Sequence, residues 1–541
     1  MQFSYSQKRE SRSFAQRSVA MGCRGMVASS QQLATLSGYK ALNKGGNAID
    51  AAVAMVSTLS VVEPHSVGIG GDAFALIYLA EEDKLIGING SGRAPYRANL
   101  DWFSDRRIEV MPERGILSVT VPGALHAWAK VVERYGNLGL NQLLEDAIDY
   151  AENGFPVTEV IAGEWKNAKD LLLAHKSASK VYLVNGDVPH PGQIFHNKDL
   201  ARTYRKISSE GTASFYRGDI RDAIIAFSSQ NGGLLSQEDF ENHESTWVQP
   251  LATDYRGYTV YELPPNGQGI AALEMLNILE GYDMGRMDYN GPEHLHLLIE
   301  AKKAAFGDRD NWVTDPAFED VPVSRLISKE YADQVRQRIN HKKATASPLP
   351  SLPSKGTDTA YATAVDQSGN AASFISSIYM PFGSAMVVDG TGIVLQNRGH
   401  AFSLNPVHRN KLEPHKRPLH TIIPAMVFKD GRFIMSFGVM GGDMQPQGHV
   451  QFLINLIDFK MNLQEAIDAP RIRHFKGREV YLEDGIPDVA FSALQDRGHR
   501  IIQTPGPVNQ VGGGQAIYLD SRQKLLCGAS DRRKDGVAIG Y

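Results

Sequence analysis

Hydrophobic and polar positions repeat with two different periods along this chain. Apolar residues at helical spacing predict a helix that Ser30 caps and that ends before Gly45, a second over residues 48–61, and a third over residues 292–312. Runs with a period of two, joined by short polar turns, predict hairpins with strands at 73–79 and 84–88, 360–365 and 371–378, and 425–428 and 433–437. This mixture favours an α/β (α+β) fold of the layered αββα type, built as one intertwined domain.

A polar segment interrupts the pattern just before the 360–365 strand. Residues 340–356 include three prolines and show no apolar periodicity, which is typical of an exposed, pliable connector. Asp358 and Thr359 stand at its junction with the strand. If the chain is cut between them, the Thr359 hydroxyl is a nucleophile and its α-amino group, with an ordinary pKa of about 7.7–8.0, is its base. The alternative is a threonine that merely starts a strand.

Composition excludes several functional classes. The 56 basic and 60 acidic residues give a net charge of −4 and are scattered, so no surface for nucleic acid or anionic membrane is predicted. The two cysteines, Cys23 and Cys527, lack Cys or His neighbours at metal-ligand spacing, which argues against a disulfide framework and a zinc site. Residues 1–22 contain no apolar run of seven, so neither a signal peptide nor an anchor is expected and a cytoplasmic location is predicted.

The glycine-rich segment 68–73 matches the pattern G-x-G-x-x-A on paper. It follows a predicted helix and precedes a predicted strand, the reverse of the order that aims a helix N-terminus at a pyrophosphate. We therefore interpret it as a tight helix-to-strand turn and not as a nucleotide site.

Six blocks of sequence resemble the γ-glutamyltranspeptidase family. They occur in the family's order at residues 25–29 with 45–54, 359–371, 382–384 with 392–395, 440–443, 468–471 and 528–531. The resemblance implies the N-terminal-nucleophile hydrolase fold and an autoprocessing enzyme. It also implies a large-subunit segment, 1–358, and a small-subunit segment, 359–541, that stay paired and need no metal or organic cofactor.

The family's catalytic groups carry over onto four positions. Thr359 falls at the nucleophile, and Ser377, eighteen residues later, falls where a hydroxyl donates to the nucleophile's oxygen. Gly441 and Gly442 fall where backbone N–H groups hold the oxyanion. The alternatives are a surface serine on a strand and a plain glycine turn.

The predicted substrate pocket departs from the family's γ-glutamyl-binding pattern. Where the family binds the α-amino group with an asparagine and an acidic residue, this chain has Tyr379 and Ala401; where it binds the α-carboxylate with a serine pair, it has His420 and Thr421. A buried ammonium without a carboxylate partner is costly, so α-amino groups should be poorly selected.

Two arginines, Arg93 and Arg398, are the candidates for holding a substrate carboxylate. Family membership makes a γ-glutamyl amide such as glutathione the default substrate. The pocket favours an alternative, a carboxylate-bearing acyl group that is not an amino acid, as in cephalosporin acylases and oxamate amidohydrolase. Hydrolysis and acyl transfer both stay open. A catalytically silent scaffold is a further hypothesis, because Ala360 and Tyr361 replace the family's second threonine and histidine.

Three histidines, His65, His400 and His420, have ordinary pKa values near neutrality. Since they form no metal-ligand cluster in the sequence, we expect them to be structural or to contact the substrate.

Overall fold

The computed structural model describes residues 15, 17–346, 359–502 and 511–541. Its α-helices are α1 (Gln32–Asn43), α2 (Ala48–Val62), α3 (Leu100–Ser104), α4 (Ala124–Tyr135), α5 (Leu140–Leu143), α6 (Glu145–Asn153), α7 (Glu159–Asn167), α8 (Lys169–Ala174), α9 (Lys176–Tyr182), α10 (Lys198–Glu210), α11 (Ala213–Tyr216), α12 (Asp219–Gln230), α13 (Gln237–Glu241), α14 (Gly269–Glu280), α15 (Pro292–Trp312), α16 (Val323–Leu326), α17 (Lys329–Arg336), α18 (Met444–Ile457), α19 (Leu463–Asp468) and α20 (Asp488–Asp496). Short 3₁₀ turns cover Ile116–Ser118, Met284–Arg286 and Arg398–Ala401.

The strands of the described residues are β1 (Ala20–Gly22), β2 (Met26–Ser29), β3 (Asp72–Leu79), β4 (Lys84–Gly90), β5 (Phe155–Pro156), β6 (Ile194–Phe195), β7 (Thr246–Val248), β8 (Leu251–Tyr255), β9 (Tyr258–Glu262), β10 (Ala360–Val365), β11 (Ala371–Ser377), β12 (Val387–Val388), β13 (Ile393–Val394), β14 (Ala425–Lys429), β15 (Arg432–Val439), β16 (Ile472–His474), β17 (Glu479–Leu482), β18 (Arg500–Ile502), β19 (Gly514–Asp520), β20 (Leu525–Ser530) and β21 (Val537–Gly540).

Two seven-stranded sheets form the centre of the molecule. One has the strand order β1-β20-β19-β15-β14-β9-β8 and the other β21-β2-β10-β11-β3-β4-β7. Neighbouring strands in both sheets pair antiparallel. Each sheet combines strands from both sides of the 358–359 junction.

The buried apolar residues define four layers. A middle core joins the facing sheets, for example Phe74 and Ile375 of one with Met426 and Ile517 of the other. An outer core packs α1, α2 and α4 onto the sheet that contains β10. A second outer core packs α14, α15 and α18 onto the other sheet. Helix, sheet, sheet and helix layers thus confirm the predicted αββα sandwich.

The hydrophobic pattern predicted the main elements well. The helix over 292–312 and the hairpins β3-β4, β10-β11 and β14-β15 form within one or two residues of the predicted bounds. The expected cap of the first helix was wrong, because the Gln31 side chain, and not Ser30, accepts the N–H groups of Leu33 and Ala34.

The glycine-rich segment 68–71 is a turn between α2 and β3, as predicted. At Gly70 a Cβ would lie 2.1 Å from the carbonyl oxygen of Val394. Glycine is therefore required here by the close approach of another backbone segment and not by a ligand.

No helix among the described residues is long and apolar enough to span a bilayer. Cys23 is exposed and Cys527 is buried, and neither forms a disulfide within the described residues.

Candidate active site

Thr359 lies immediately before β10, the strand held between β2 and β11. Its residue is only 1% exposed. The pairing of Ala360 with Ser376 in the β10-β11 hairpin brings Ser377 across from it. The Thr359 hydroxyl donates to Ser377 Oγ at 3.3 Å, so the two side chains meet as predicted. In the uncut chain, however, threonine is the donor and serine the acceptor, the reverse of the predicted direction.

Ser377 also fixes the segment that follows it. The backbone N–H of Tyr379 donates to Ser377 Oγ at 2.8 Å. Tyr379 has a φ of 82°, in the left-handed region that non-glycine residues rarely adopt. This turn places the Tyr379 ring against the Arg398 guanidinium. The Cζ atom of Arg398 lies 4.1 Å from the centroid of the Tyr379 ring.

The turn of Gly441 and Gly442 leads from β15 into α18. Both residues have positive φ, 125° and 59°. Within the described part of the chain, no hydrogen bond engages either N–H group, so both donors can meet an oxyanion.

Gln445, in the first turn of α18, connects this glycine turn to Thr359. Its backbone N–H donates to the Gly442 carbonyl at 3.1 Å. Its side-chain Nε2 donates to Thr359 Oγ1 at 3.4 Å. One residue therefore sets the distance between Thr359 and the Gly441–Gly442 turn.

Arg398 is fully buried and only partly paired. Its Nη1 donates to Thr421 Oγ1 at 2.8 Å, and its Nε lies 3.9 Å from Asp72 Oδ2. Neither Nε nor Nη2 has a hydrogen-bond partner among the described residues. Burial lowers the pKa of Arg398 to about 10, and the Asp72 carboxylate partly offsets this by raising it. The group therefore stays cationic at neutral pH. A buried cation with unused donors is suited to a carboxylate.

His420 positions Asp72. Its Nε2 lies 2.9 Å from Asp72 Oδ2, and its Nδ1 accepts the N–H of Ile422 at 3.4 Å. The other oxygen of Asp72 accepts from Gly92 N and Gln396 Nε2. Burial, with the nearby Arg398 cation, lowers the pKa of His420 to about 4, and the ring is neutral at physiological pH.

Gln268 completes a closed ring of contacts. Its Nε2 donates to the carbonyls of Thr421 at 2.6 Å and Gly442 at 2.9 Å. Arg309 fixes the orientation of that amide by donating to Gln268 Oε1 at 2.7 Å. The ring, which we call the site ring, runs through Thr359, Ser377, Tyr379, Arg398, Thr421, Gln268, Gly442 and Gln445 and back to Thr359.

Arg93 is a predicted site residue outside this ring, whereas His420 and Gly441 adjoin its members Thr421 and Gly442. Its Nη1 contacts Asp315 Oδ2 at 3.2 Å and the carbonyl of His415 at 3.1 Å. Its cation is thus already neutralised. Asp358, the other side of the predicted cleavage site, lies outside the described residues.

The three predicted histidines all have lowered pKa values. Burial lowers the pKa of His65 and of His400 as well as that of His420. Removal from water disfavours each imidazolium. Gln268 and Gln445 were missed, because a glutamine just before or at the start of a helix carries no local signal of function.

Comparison with known proteins places the chain in a family. The sequence model of the family described as Gamma-glutamyltranspeptidase matches residues 34–541. The chain belongs to the γ-glutamyltranspeptidase family. It is therefore an enzyme, a hydrolase acting on amide bonds, as the resemblance predicted.

Relatives within the γ-glutamyltranspeptidase family are described as proenzymes. The chain is 40% identical to a glutathione hydrolase-like YwrD proenzyme of Bacillus subtilis, covering 96% of this chain and 99% of that one. It is 35% identical to an oxamate amidohydrolase proenzyme of Klebsiella pneumoniae, covering 96% and 98%. A crystal structure of cephalosporin acylase from Bacillus halodurans superposes with a TM-score of 0.92 at 42% identity, covering 100% of this chain and 99% of that one. This likeness confirms the predicted N-terminal-nucleophile hydrolase fold.

The contact between Ser377 and Thr359 in this member of the γ-glutamyltranspeptidase family can be tested by Ser377→Ala. We expect acylation in single-turnover experiments to slow by about tenfold to a hundredfold, the effect of losing ~1.5–3 kcal/mol of hydrogen bonding as charge develops on the nucleophile. Stability should fall as well, because the buried Tyr379 N–H loses its acceptor. Ser376→Ala, which removes the neighbouring hydroxyl beside Trp128, is the matched control. Acylation rates within twofold of the parent for Ser377→Ala would place the hydroxyl outside the catalytic machinery.

Proposed function

We propose that this protein is an autoprocessing threonine amidohydrolase that carries its acyl intermediate on Thr359. The observation that supports it is the site ring. It connects a threonine, a second hydroxyl, a glycine turn and a half-paired buried arginine through consecutive contacts. Within the described residues, the two N–H groups of the glycine turn have no hydrogen-bond partner.

Maturation shares its nucleophile, the Thr359 hydroxyl, with turnover. In the precursor, the Thr359 hydroxyl attacks the Asp358 carbonyl, its proton passes to the peptide nitrogen, which leaves as the new amine, and water hydrolyses the resulting ester. The products are residues 1–358 and 359–541. The description of the relatives as proenzymes supports this step.

In turnover the freed α-amine of Thr359 takes the hydroxyl proton while the oxygen attacks the substrate amide. The N–H groups of Gly441 and Gly442 stabilise the oxyanion, and one such donor is worth about 3–4 kcal/mol of barrier. The proton passes to the leaving amine. Water, activated by the same amine, then releases the acid.

For the acyl group we propose one that bears a carboxylate and lacks an α-amino group. The Nε and Nη2 groups of Arg398, which have no hydrogen-bond partner among the described residues, support the carboxylate. The nearby carboxylate of Asp72 is occupied by Gly92, Gln396 and His420, and so offers an ammonium little. γ-Glutamyl amides such as glutathione are the second candidate, favoured by the glutathione hydrolase-like relative.

The replacement of the family histidine by Tyr361 is compatible with catalysis. The Tyr361 ring lies in the core between the sheets, and its hydroxyl contacts Ser373 Oγ at 2.6 Å. It is not a member of the site ring. The substitution therefore changes packing beneath the nucleophile rather than the chemistry beside it.

A substrate panel tests the assignment. Glutaryl-p-nitroanilide keeps the terminal carboxylate of γ-glutamyl-p-nitroanilide and differs from it only in lacking the α-amino group, and glutathione and oxamate extend the comparison. We expect a higher kcat/KM for glutaryl-p-nitroanilide than for the γ-glutamyl compound, and weaker transfer to dipeptide acceptors than hydrolysis. If glutathione is clearly the best substrate, the second candidate replaces the first and the Thr359 chemistry stands.

A further inference from the structure

A cluster of metal-ligating side chains lies outside the site ring. His296 and Glu300 are one turn apart on α15, and His499 follows α20. His296 Nδ1 and His499 Nε2 are 2.8 Å apart. One ligand atom from each of the three residues lies within 4.8 Å of the others, and all three residues are buried.

The hydrogen bonds of the two rings leave one nitrogen of each for a ligand. His296 Nε2 lies 2.8 Å from the carbonyl of Asn340, so it must carry the proton, and Nδ1 holds a lone pair. A metal-ligating histidine characteristically donates its other N–H to such a carbonyl. His499 Nδ1 has no partner among the described residues, so the ring can hold its proton on either nitrogen. Burial lowers the pKa of both rings, that of His499 to about 3.

We infer that His296 Nδ1, His499 Nε2 and a carboxylate oxygen of Glu300 form a binding site for a divalent cation of the zinc type. Two imidazoles and one carboxylate are a ligand set that zinc takes, with water as the fourth ligand. Zinc–nitrogen bonds of about 2.0–2.1 Å set tetrahedral ligands roughly 3.3 Å apart, so the rings need to separate by about half an ångström. On binding, the proton of His499 moves from Nε2 to Nδ1, and none is released.

The site also explains how a bound ion would act on the fold. Glu300 accepts the N–H of Thr345 at 3.2 Å, and Lys303 Nζ contacts both Glu300 Oε1 and the Thr345 carbonyl at 2.8 Å. With the Asn340 contact, these bonds hold residues 340–345 against α15. A bound cation would therefore strengthen the packing of residues 340–345 against α15. The Lys303 ammonium, beside Glu300, opposes the ion, so Lys303→Met should tighten binding.

Zinc titration of chelator-treated full-length protein tests the site. We expect one equivalent to bind, to raise the Tm, and to be replaceable by Co²⁺ with the visible absorption of a four-coordinate ion. Using Thr359→Ala as the host separates this test from the proposed function, since binding needs neither cleavage nor catalysis.

His296→Gln and His499→Gln should each weaken zinc binding by at least about tenfold. His341→Gln, which alters a histidine whose side chain is 51% exposed, should leave it unchanged. Circular dichroism in chelator checks that the variants fold. If one does not, anomalous diffraction from zinc-soaked crystals of the parent decides: a peak between His296 and His499 supports the site. Its absence, or full-affinity binding in both histidine variants, overturns it.

Discussion

Thr359→Ala is expected to stay a single chain of 59.4 kDa without amidase activity. The reason is that one hydroxyl serves both as the nucleophile of cleavage and as the acyl carrier. Scaling that mass by residue number gives fragments of roughly 39 and 20 kDa for the parent. Intact mass spectrometry and N-terminal sequencing measure the outcome, and the small fragment should begin at Thr359.

Two control variants make this result specific. Thr359→Ser keeps a hydroxyl and should still be cut. Thr363→Ala removes the other β10 threonine, whose hydroxyl contacts Ser436 Oγ at 2.6 Å, and should be cut as well. A parent chain that stays whole, or a Thr359→Ala chain cut after Asp358, contradicts the mechanism.

Arg398→Ala is expected to raise KM for carboxylate-bearing substrates by about tenfold to a hundredfold. This corresponds to losing ~1.5–3 kcal/mol of charge-assisted hydrogen bonding. The effect should vanish for an acyl-p-nitroanilide that lacks the carboxylate, which separates lost recognition from a collapsed site. Steady-state kinetics on both substrates measures it.

Arg93→Ala is the matched control for Arg398→Ala. Because the Arg93 cation is paired with Asp315, its loss should lower the Tm and leave KM unchanged. The opposite result, in which Arg93→Ala raises KM and Arg398→Ala leaves KM unchanged, would assign carboxylate recognition to Arg93.

The sequence was informative where a structure depends on neighbours along the chain. The β3-β4 and β10-β11 hairpins follow from alternation and turn residues, and the hairpin alone brings Ser377 opposite Thr359. The Gly441–Gly442 turn, by contrast, was predicted to hold an oxyanion from family resemblance alone. Its position in the site depends on the contacts of Gln445 with Thr359 and of Gln268 with Gly442, which join residues far apart in the sequence.

The choice between Arg93 and Arg398 could not be made from the sequence. Both arginines precede or follow polar turns, and what distinguishes them is a partner far along the chain, Asp315 in one case and Thr421 in the other. The histidine pKa values were missed for the same reason. Burial is a property of the packed sandwich, and no local pattern reports it.

The interleaving of strands across the 358–359 junction changes the molecularity of unfolding. β10 lies between β2 and β11, so cleavage would leave a sheet whose adjacent strands belong to different chains. Unfolding of the cut protein would then release two polypeptides, and its midpoint would rise with protein concentration, whereas that of an uncut variant would not. Neither fragment retains a complete sheet, so reassembly from separated fragments must compete with aggregation of exposed strand edges. A cut enzyme of this kind persists through slow unfolding rather than through reversible refolding.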